Sequence, residues 1–281
     1  MLDILLLAIG VIGFGIAAYW DLKTTEFPDW LPYSIIIAAL AVRGVFALLT
    51  GDLSIITNSI VIGLGFLIFG YALYVLKQWG DGDAWLLGAL GFLFPDPAGF
   101  VQLFHSPFPF YYDQIFNFFF VSFIYLILYS LAIGLKGPGV WKEFKENLAK
   151  DKKILGGIII LFAAISLGVT SYLHYMLFVP IYNLYNILLL PFLFAFLILF
   201  IRYGRHIEKN LFRKEIDSKD LRVGDVPVDD KWRVLDKKEV EKLKKKGGKI
   251  WVKEGVRLAP VFIISMFVSL LYGNVIYVLF F

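Results

Sequence analysis

Two aspartates stand where this sequence could do chemistry. Asp21 lies in Trp20-Asp21-Leu22-Lys23-Thr24-Thr25-Glu26-Phe27-Pro28-Asp29-Trp30, at the end of the first long apolar run. Asp83 lies in Gly80-Asp81-Gly82-Asp83-Ala84-Trp85, at the head of a shorter one. An ionisable residue at a membrane boundary is costly to keep and is a functional candidate by default. Two carboxylates that can approach each other suit hydrolysis by water. One, ionised, takes a proton from water; the other, protonated, polarises the scissile carbonyl. Repulsion keeps one proton shared between them. Gly80 and Gly82 would let an extended peptide backbone come close to the acid. Each acid taken alone also has a structural reading, Asp83 as a helix N-cap and Asp21 as an interfacial residue ending a span.

Other chemistries find less support. The chain has no Cys, which removes thiolate metal sites and cysteine nucleophiles. His105, His174 and His206 are far apart, and neither HExxH nor GxSxG occurs. No metal or cofactor is implied. Gly10, Gly13, Gly63 and Gly65 sit within apolar runs and read as helix-packing surfaces rather than nucleotide loops.

The elements that must position the aspartates follow from composition. Of 281 residues, 59% are apolar, and the mean hydropathy is +0.74. A soluble domain runs at roughly 45–50% apolar, so an ordinary soluble enzyme and a disordered chain are both excluded. Runs of ~20 apolar residues span a ~30 Å hydrocarbon layer. Seven are clear: 3–20, 31–50, 54–76, 115–135, 154–175, 178–201 and 258–281. An eighth, 84–94, is short and stops at Pro95. The runs do not alternate with period two, so the fold class is an all-α polytopic membrane protein of about eight spans (six to eight). Segments 21–30, 77–83, 136–153 and 202–257 hold 26 of the 27 Lys and Arg. By the positive-inside rule they face the cytoplasm, together with Asp21 and Asp83. Arg43 is the exception, inside the second span, where it would snorkel or pair. Lys23 follows the first run and Asp3 precedes it, the reverse of a signal peptide's charge order.

The expected domains are a transmembrane core at 1–203, a basic lobe at 204–256 and a final transmembrane helix at 257–281. The lobe should be α+β, with strands at Leu221–Val228 and Lys249–Lys253. Between them Asp236 and Glu239 form a capping box, Val240 and Leu243 give an apolar face, and Gly247-Gly248 end the helix. Its Lys244-Lys245-Lys246 run reads as a solvated face near anionic membrane lipid. Asp52 is expected to cap the third span, with Asp96 and Asp113 in an outer loop. Asn183 and Asn186, with Tyr182 and Tyr185, read as an interhelical hydrogen-bonding stripe.

Taken together, these motifs resemble the GxGD aspartic proteases of membranes, specifically the type IV prepilin and archaeal preflagellin peptidases. Asp21-Leu22-Lys23 with Phe27-Pro28-Asp29 is similar to the family's first aspartate segment, and Gly80-Asp81-Gly82-Asp83 to its second. The lobe from Gly224-Asp225 to Gly255-Val256, with Leu258-Ala259-Pro260, resembles the archaeal branch. The resemblance implies Asp21 and Asp83 as the catalytic pair, no cofactor, and cleavage of a short basic leader at the cytoplasmic membrane face. It implies preflagellin or prepilin-like precursors as protein partners, with no nucleic acid. Bacterial relatives that also N-methylate carry a Cys-rich insert absent here, so methyltransferase activity is not expected. Archaeal relatives have six spans, against eight read here.

Three other readings compete, one of them a non-catalytic assembly subunit that would require neither aspartate. An ion- or proton-coupled transporter could use Asp21 and Asp83, but both acids lie at the edge and no clear internal repeat is visible. A presenilin- or signal-peptide-peptidase-like protease would carry Pro-Ala-Leu, which Leu258-Ala259-Pro260 does not match.

Overall fold

A computed structural model describes the chain except residues 98, 105, 138, 179, 181–184, 222–223, 229–234, 254, 276 and 278–281. The helices are α1 (Leu2–Thr24), α2 (Trp30–Thr50), α3 (Ser54–Val75), α4 (Asp81–Leu93), α5 (Phe110–Lys136), α6 (Val140–Lys150), α7 (Lys152–Leu177), α8 (Tyr185–Leu211), α9 (Lys237–Lys246) and α10 (Pro260–Leu271). The strands are β1 (Arg213–Asp217), β2 (Val226–Pro227) and β3 (Lys249–Lys253). Among the described residues, five helices have the length and composition to cross a membrane: α1, α2, α3, α5 and α7. The expected count of eight is met only to that extent. The side chains of Tyr185 and Asn186, with all of Tyr182 and Asn183, lie outside the described residues.

The chain forms two compact units. The first comprises Met1–Leu126 and Glu254–Phe281 and holds both aspartates. Its centre is α4, whose residues Leu86–Leu93 are all buried. At 13 residues, α4 is ~20 Å long, shorter than a ~30 Å hydrocarbon layer. A short helix in an apolar core leaves its last carbonyls without partners, and two side chains from other helices meet them. Ser59 Oγ of α3 donates to the Phe92 carbonyl at 2.6 Å, and Arg43 Nη2 of α2 donates to the Leu93 carbonyl at 2.8 Å. Arg43 is 3% exposed and also donates to the Ile55 carbonyl at 3.2 Å. It therefore pairs inward and does not snorkel.

Small residues let α3 approach α4. A side chain on Gly63 would enter the Phe92 ring, and one on Gly70 would come within 2.9 Å of the Ala84 backbone. Gly10 likewise meets Met266 of α10 and Gly13 meets Ile35 of α2, whereas Gly65 meets nothing. Asp52 accepts from the Ser54 amide at 2.9 Å at the start of α3, and its hydrogen bonds from Ser54 hold its carboxyl below the usual range.

Asp113 departs from its expected loop position. It sits in the first turn of α5, 2% exposed, accepting from Ser106 Oγ at 2.9 Å and Asn274 Nδ2 at 2.7 Å. A donor from the preceding loop and one distant in sequence make that burial tolerable. Asn117, one turn further on, donates to Ser269 Oγ and the Gly273 carbonyl and accepts from the Val275 amide. These bonds tie α5 to α10 and the segment that follows it.

The second unit, Ile127–Lys253, contains the basic lobe. Its sheet has the order β1-β3-β2, antiparallel throughout, with Ile216 opposite Ile250 and Pro227 opposite Val252. The expected β3 appears at Lys249–Lys253. The expected Leu221–Val228 strand is reduced to Val226–Pro227 among its described residues. The capping box forms as read: Glu239 N–H donates to Asp236 Oδ1 at 2.7 Å, and Asp236 N–H donates to Glu239 Oε2 at 3.2 Å. Val240 is buried with Leu221, Leu235 and Val252. In the same unit α6 packs Val140 against Tyr203 and Ile207 of α8.

Candidate active site

Asp21 belongs to the last turn of α1, where the backbone is closed off by Thr25. Thr25 has φ +63°, and its N–H donates to the Asp21 carbonyl at 2.9 Å. That left-handed cap turns the chain sharply, leading through Phe27 and Pro28 into α2. The level of this turn is marked by Tyr19 and Trp20, both exposed, with Lys23 Nζ 5.6 and 5.9 Å from their ring centres. An aromatic pair with a cation beside it is typical of a membrane–water boundary.

Asp21 itself is 5% exposed. Its Oδ2 accepts from the Ala259 amide at 2.8 Å. Ala259 is the N-cap of α10, with Pro260 opening that helix, so the carboxylate meets the positive end of α10. Arg257 Nη1 donates to the Leu22 carbonyl at 2.7 Å, and its charge acts on Asp21.

Asp83 is the third residue of α4 and partly buried. The N-cap position foreseen for Asp83 is held instead by Gly80, with Asp83 as an acid in the first turn, where the positive end of the helix favours it. Asp21 and Asp83 lie close enough for their charges to act on each other.

Gly80 has an ordinary extended backbone, φ −72° and ψ 158°. A side chain there would stand 3.4 Å from the Asp83 carboxylate. Gly82 has a more definite reason to be glycine. A Cβ at that position would lie 2.8 Å from Cζ of Phe27, so the Phe27 ring occupies the space beside it. The motif after α1 and the motif opening α4 are therefore in contact through Phe27 and Gly82.

Aromatic packing sets the heights of these pieces. Trp79, just before the motif, lies 5.4 Å from Phe118 of α5, which lies 4.8 Å from Phe262 of α10, which stacks on Phe14 of α1 at 6.0 Å. Tyr33 of α2 meets Trp85 of α4 edge-on at 4.6 Å. Each ring pair adds roughly 0.5–1.5 kcal/mol beyond its area. Among the described residues, no group of three or more His, Asp or Glu could hold a metal ion. Sequence reasoning missed the Arg257 and Ala259 contacts; Pro260 as a helix-opening proline was the one signal that marked this place as a helix start.

The sequence profile of the type IV leader peptidase family matches residues 8–134. Residues 8–134 are thus similar to the type IV leader peptidase family. The matched region contains Asp21, Gly80, Gly82 and Asp83, whereas Arg257 and Ala259 lie beyond it. A preflagellin peptidase of Methanocaldococcus jannaschii is 33% identical to the chain over 90 residues, 31% of this chain and 37% of that relative. The alignment thus spans well under half of that relative. No solved structure matches.

Proposed function

We propose that the protein is a membrane aspartic endopeptidase that removes the short basic leader from preflagellin or type IV prepilin-like precursors. The observation that supports this reading is the contact of Phe27 with Gly82, which joins the two aspartate motifs within the first unit and leaves Asp21 and Asp83 near enough for their charges to interact. Both acids fall within the region matched by the leader peptidase family, and the partial relative is a preflagellin peptidase.

In this reading the ionised carboxylate accepts a proton from the attacking water while its protonated partner donates to the carbonyl oxygen of the scissile bond. The proton then passes to the leaving amine. The substrate would approach as extended chain beside Gly80 and Gly82, its leader in the aqueous layer and its apolar helix in the membrane. On this reading the same end faces the cytoplasm, by the positive-inside rule. Neither a metal nor a methyl donor enters the scheme.

The test is to express the full chain in membranes with a precursor carrying a short basic leader, and to follow its mass. Wild type should shorten the precursor by the leader, without N-methylation and regardless of zinc chelators. Asp21→Asn and Asp83→Asn should each abolish the shift. Normal processing by either variant would refute the assignment.

A further inference from the structure

Arg257, Leu258, Ala259 and Pro260 join the last strand to the last helix and lie outside the matched region. Two contacts dock this segment on the end of α1. The Ala259 amide donates to Asp21 Oδ2 at 2.8 Å, and Arg257 Nη1 donates to the Leu22 carbonyl at 2.7 Å, one residue beyond Asp21. Asp21 and Ala259 are buried, while Arg257 is half-buried.

A carboxylate at the end of a helix, followed at once by a left-handed turn, is poorly constrained by its own element. Here the constraint comes from α10. The amide fixes one Asp21 oxygen, which limits rotation of the carboxyl group. Arg257 satisfies a carbonyl that the end of α1 leaves open and holds α1 against the same segment. Packing of Gly10 on Met266 and of Phe14 on Phe262 keeps the two helices in register deeper down.

The geometry points to Arg257 and the Ala259 amide as positioning groups that aim the Asp21 carboxyl at Asp83, so that the segment before the last helix completes the active site. Arg257 acts through Asp21 and the end of α1 and touches no reacting atom. The inference rests on the peptidase reading above and assigns a role that the matched region cannot supply by itself.

Three variants of the full chain separate the contacts. Arg257→Ala removes the guanidinium. Arg257→Lys keeps a positive donor. Ala259→Pro removes the N–H while its φ of −55° already suits proline. The readout is steady-state cleavage in membranes of a precursor with a short basic leader, alongside the folded fraction by thermal unfolding in detergent. Losing a hydrogen bond to a charged group should lower kcat on the order of 10- to 100-fold for Arg257→Ala and Ala259→Pro, with KM within about threefold. Arg257→Lys should recover part of the loss. Wild-type kcat in both deletion variants, with Asp21→Asn inactive, would overturn the inference and leave the peptidase reading intact. A fall in kcat matched by the fall in folded fraction, with Arg257→Lys no better, would overturn it by making the contacts structural only. An active Asp21→Asn would remove the peptidase reading itself.

Discussion

At the scale of single residues, the two aspartates proposed as the catalytic pair both stand at helix ends. Asp83 stands in the first turn of α4, while Asp21 accepts from the Ala259 amide and steadies the opening of α10. In the proposed peptidase the amide bond pre-aims the Asp21 carboxyl, as preorganised catalysis requires. If the two share a proton, activity should follow a bell-shaped pH profile. At high pH both are ionised and no acid remains; at low pH both are protonated and no base remains. A plain sigmoid in kcat/KM against pH would contradict this. Gly82 supplies a second residue-scale prediction. Gly82→Ala forces a methyl against the Phe27 ring and should cost roughly 1–3 kcal/mol of stability by thermal unfolding. Adding Phe27→Leu should recover part of the loss.

The placement of Asp21 at the end of α1 and of Asp83 at the head of α4 was legible in the sequence because the apolar runs stop and start beside them. Asp113 was not legible, since its partners Asn274 and Ser106 are supplied by folding and leave no local pattern. Phe27 was visible as part of a motif, yet its contact with Gly82 depends on how α1, α2 and α4 pack.

At the scale of elements, α4 shows how a short helix can occupy the centre of an apolar unit. Its run of buried residues was readable as a single apolar stretch. Its termination was not, because Arg43 and Ser59, which serve its last carbonyls, come from α2 and α3. Arg43→Met should leave the Leu93 carbonyl buried without that donor and destabilise the protein by on the order of 1–3 kcal/mol. Thermal unfolding in detergent would show it, and an unchanged midpoint would refute the capping role. In the lobe, α9 was fully readable because a capping box is a local device, and a Gly pair ends it. β1 escaped notice because Arg213-Lys214-Glu215-Ile216-Asp217 offers one apolar residue, and only pairing with β3 makes it a strand. Asp236→Ala should weaken α9 by ~1 kcal/mol, measurable as a lower unfolding midpoint of the lobe.

At the scale of the whole molecule, several buried polar groups of a strongly apolar chain join one helix to another. Arg43 joins α2 to α4, Asn117 joins α5 to the segment after α10, and Asp21 joins α1 to α10. Membrane character and basic lobe were legible from composition and charge. The number of spans was less so, since α4 and α10 are shorter than a hydrocarbon layer and are made helical by packing as much as by length. The amphipathic α6 was hidden in a basic loop whose apolar residues, Val140 and Phe144, find their partners only on α8.

The central claim is that Asp21 and Asp83 work as one unit. The most direct measurement is a double-variant cycle on the cleavage rate, comparing Asp21→Asn, Asp83→Asn and the two combined. Residues that act as a unit lose activity non-additively. The combined variant should therefore be no slower than either single variant, each at least ~10³-fold below wild type. Additive losses, or a single variant within about tenfold of wild type, would show that the two carboxylates do not form one catalytic pair.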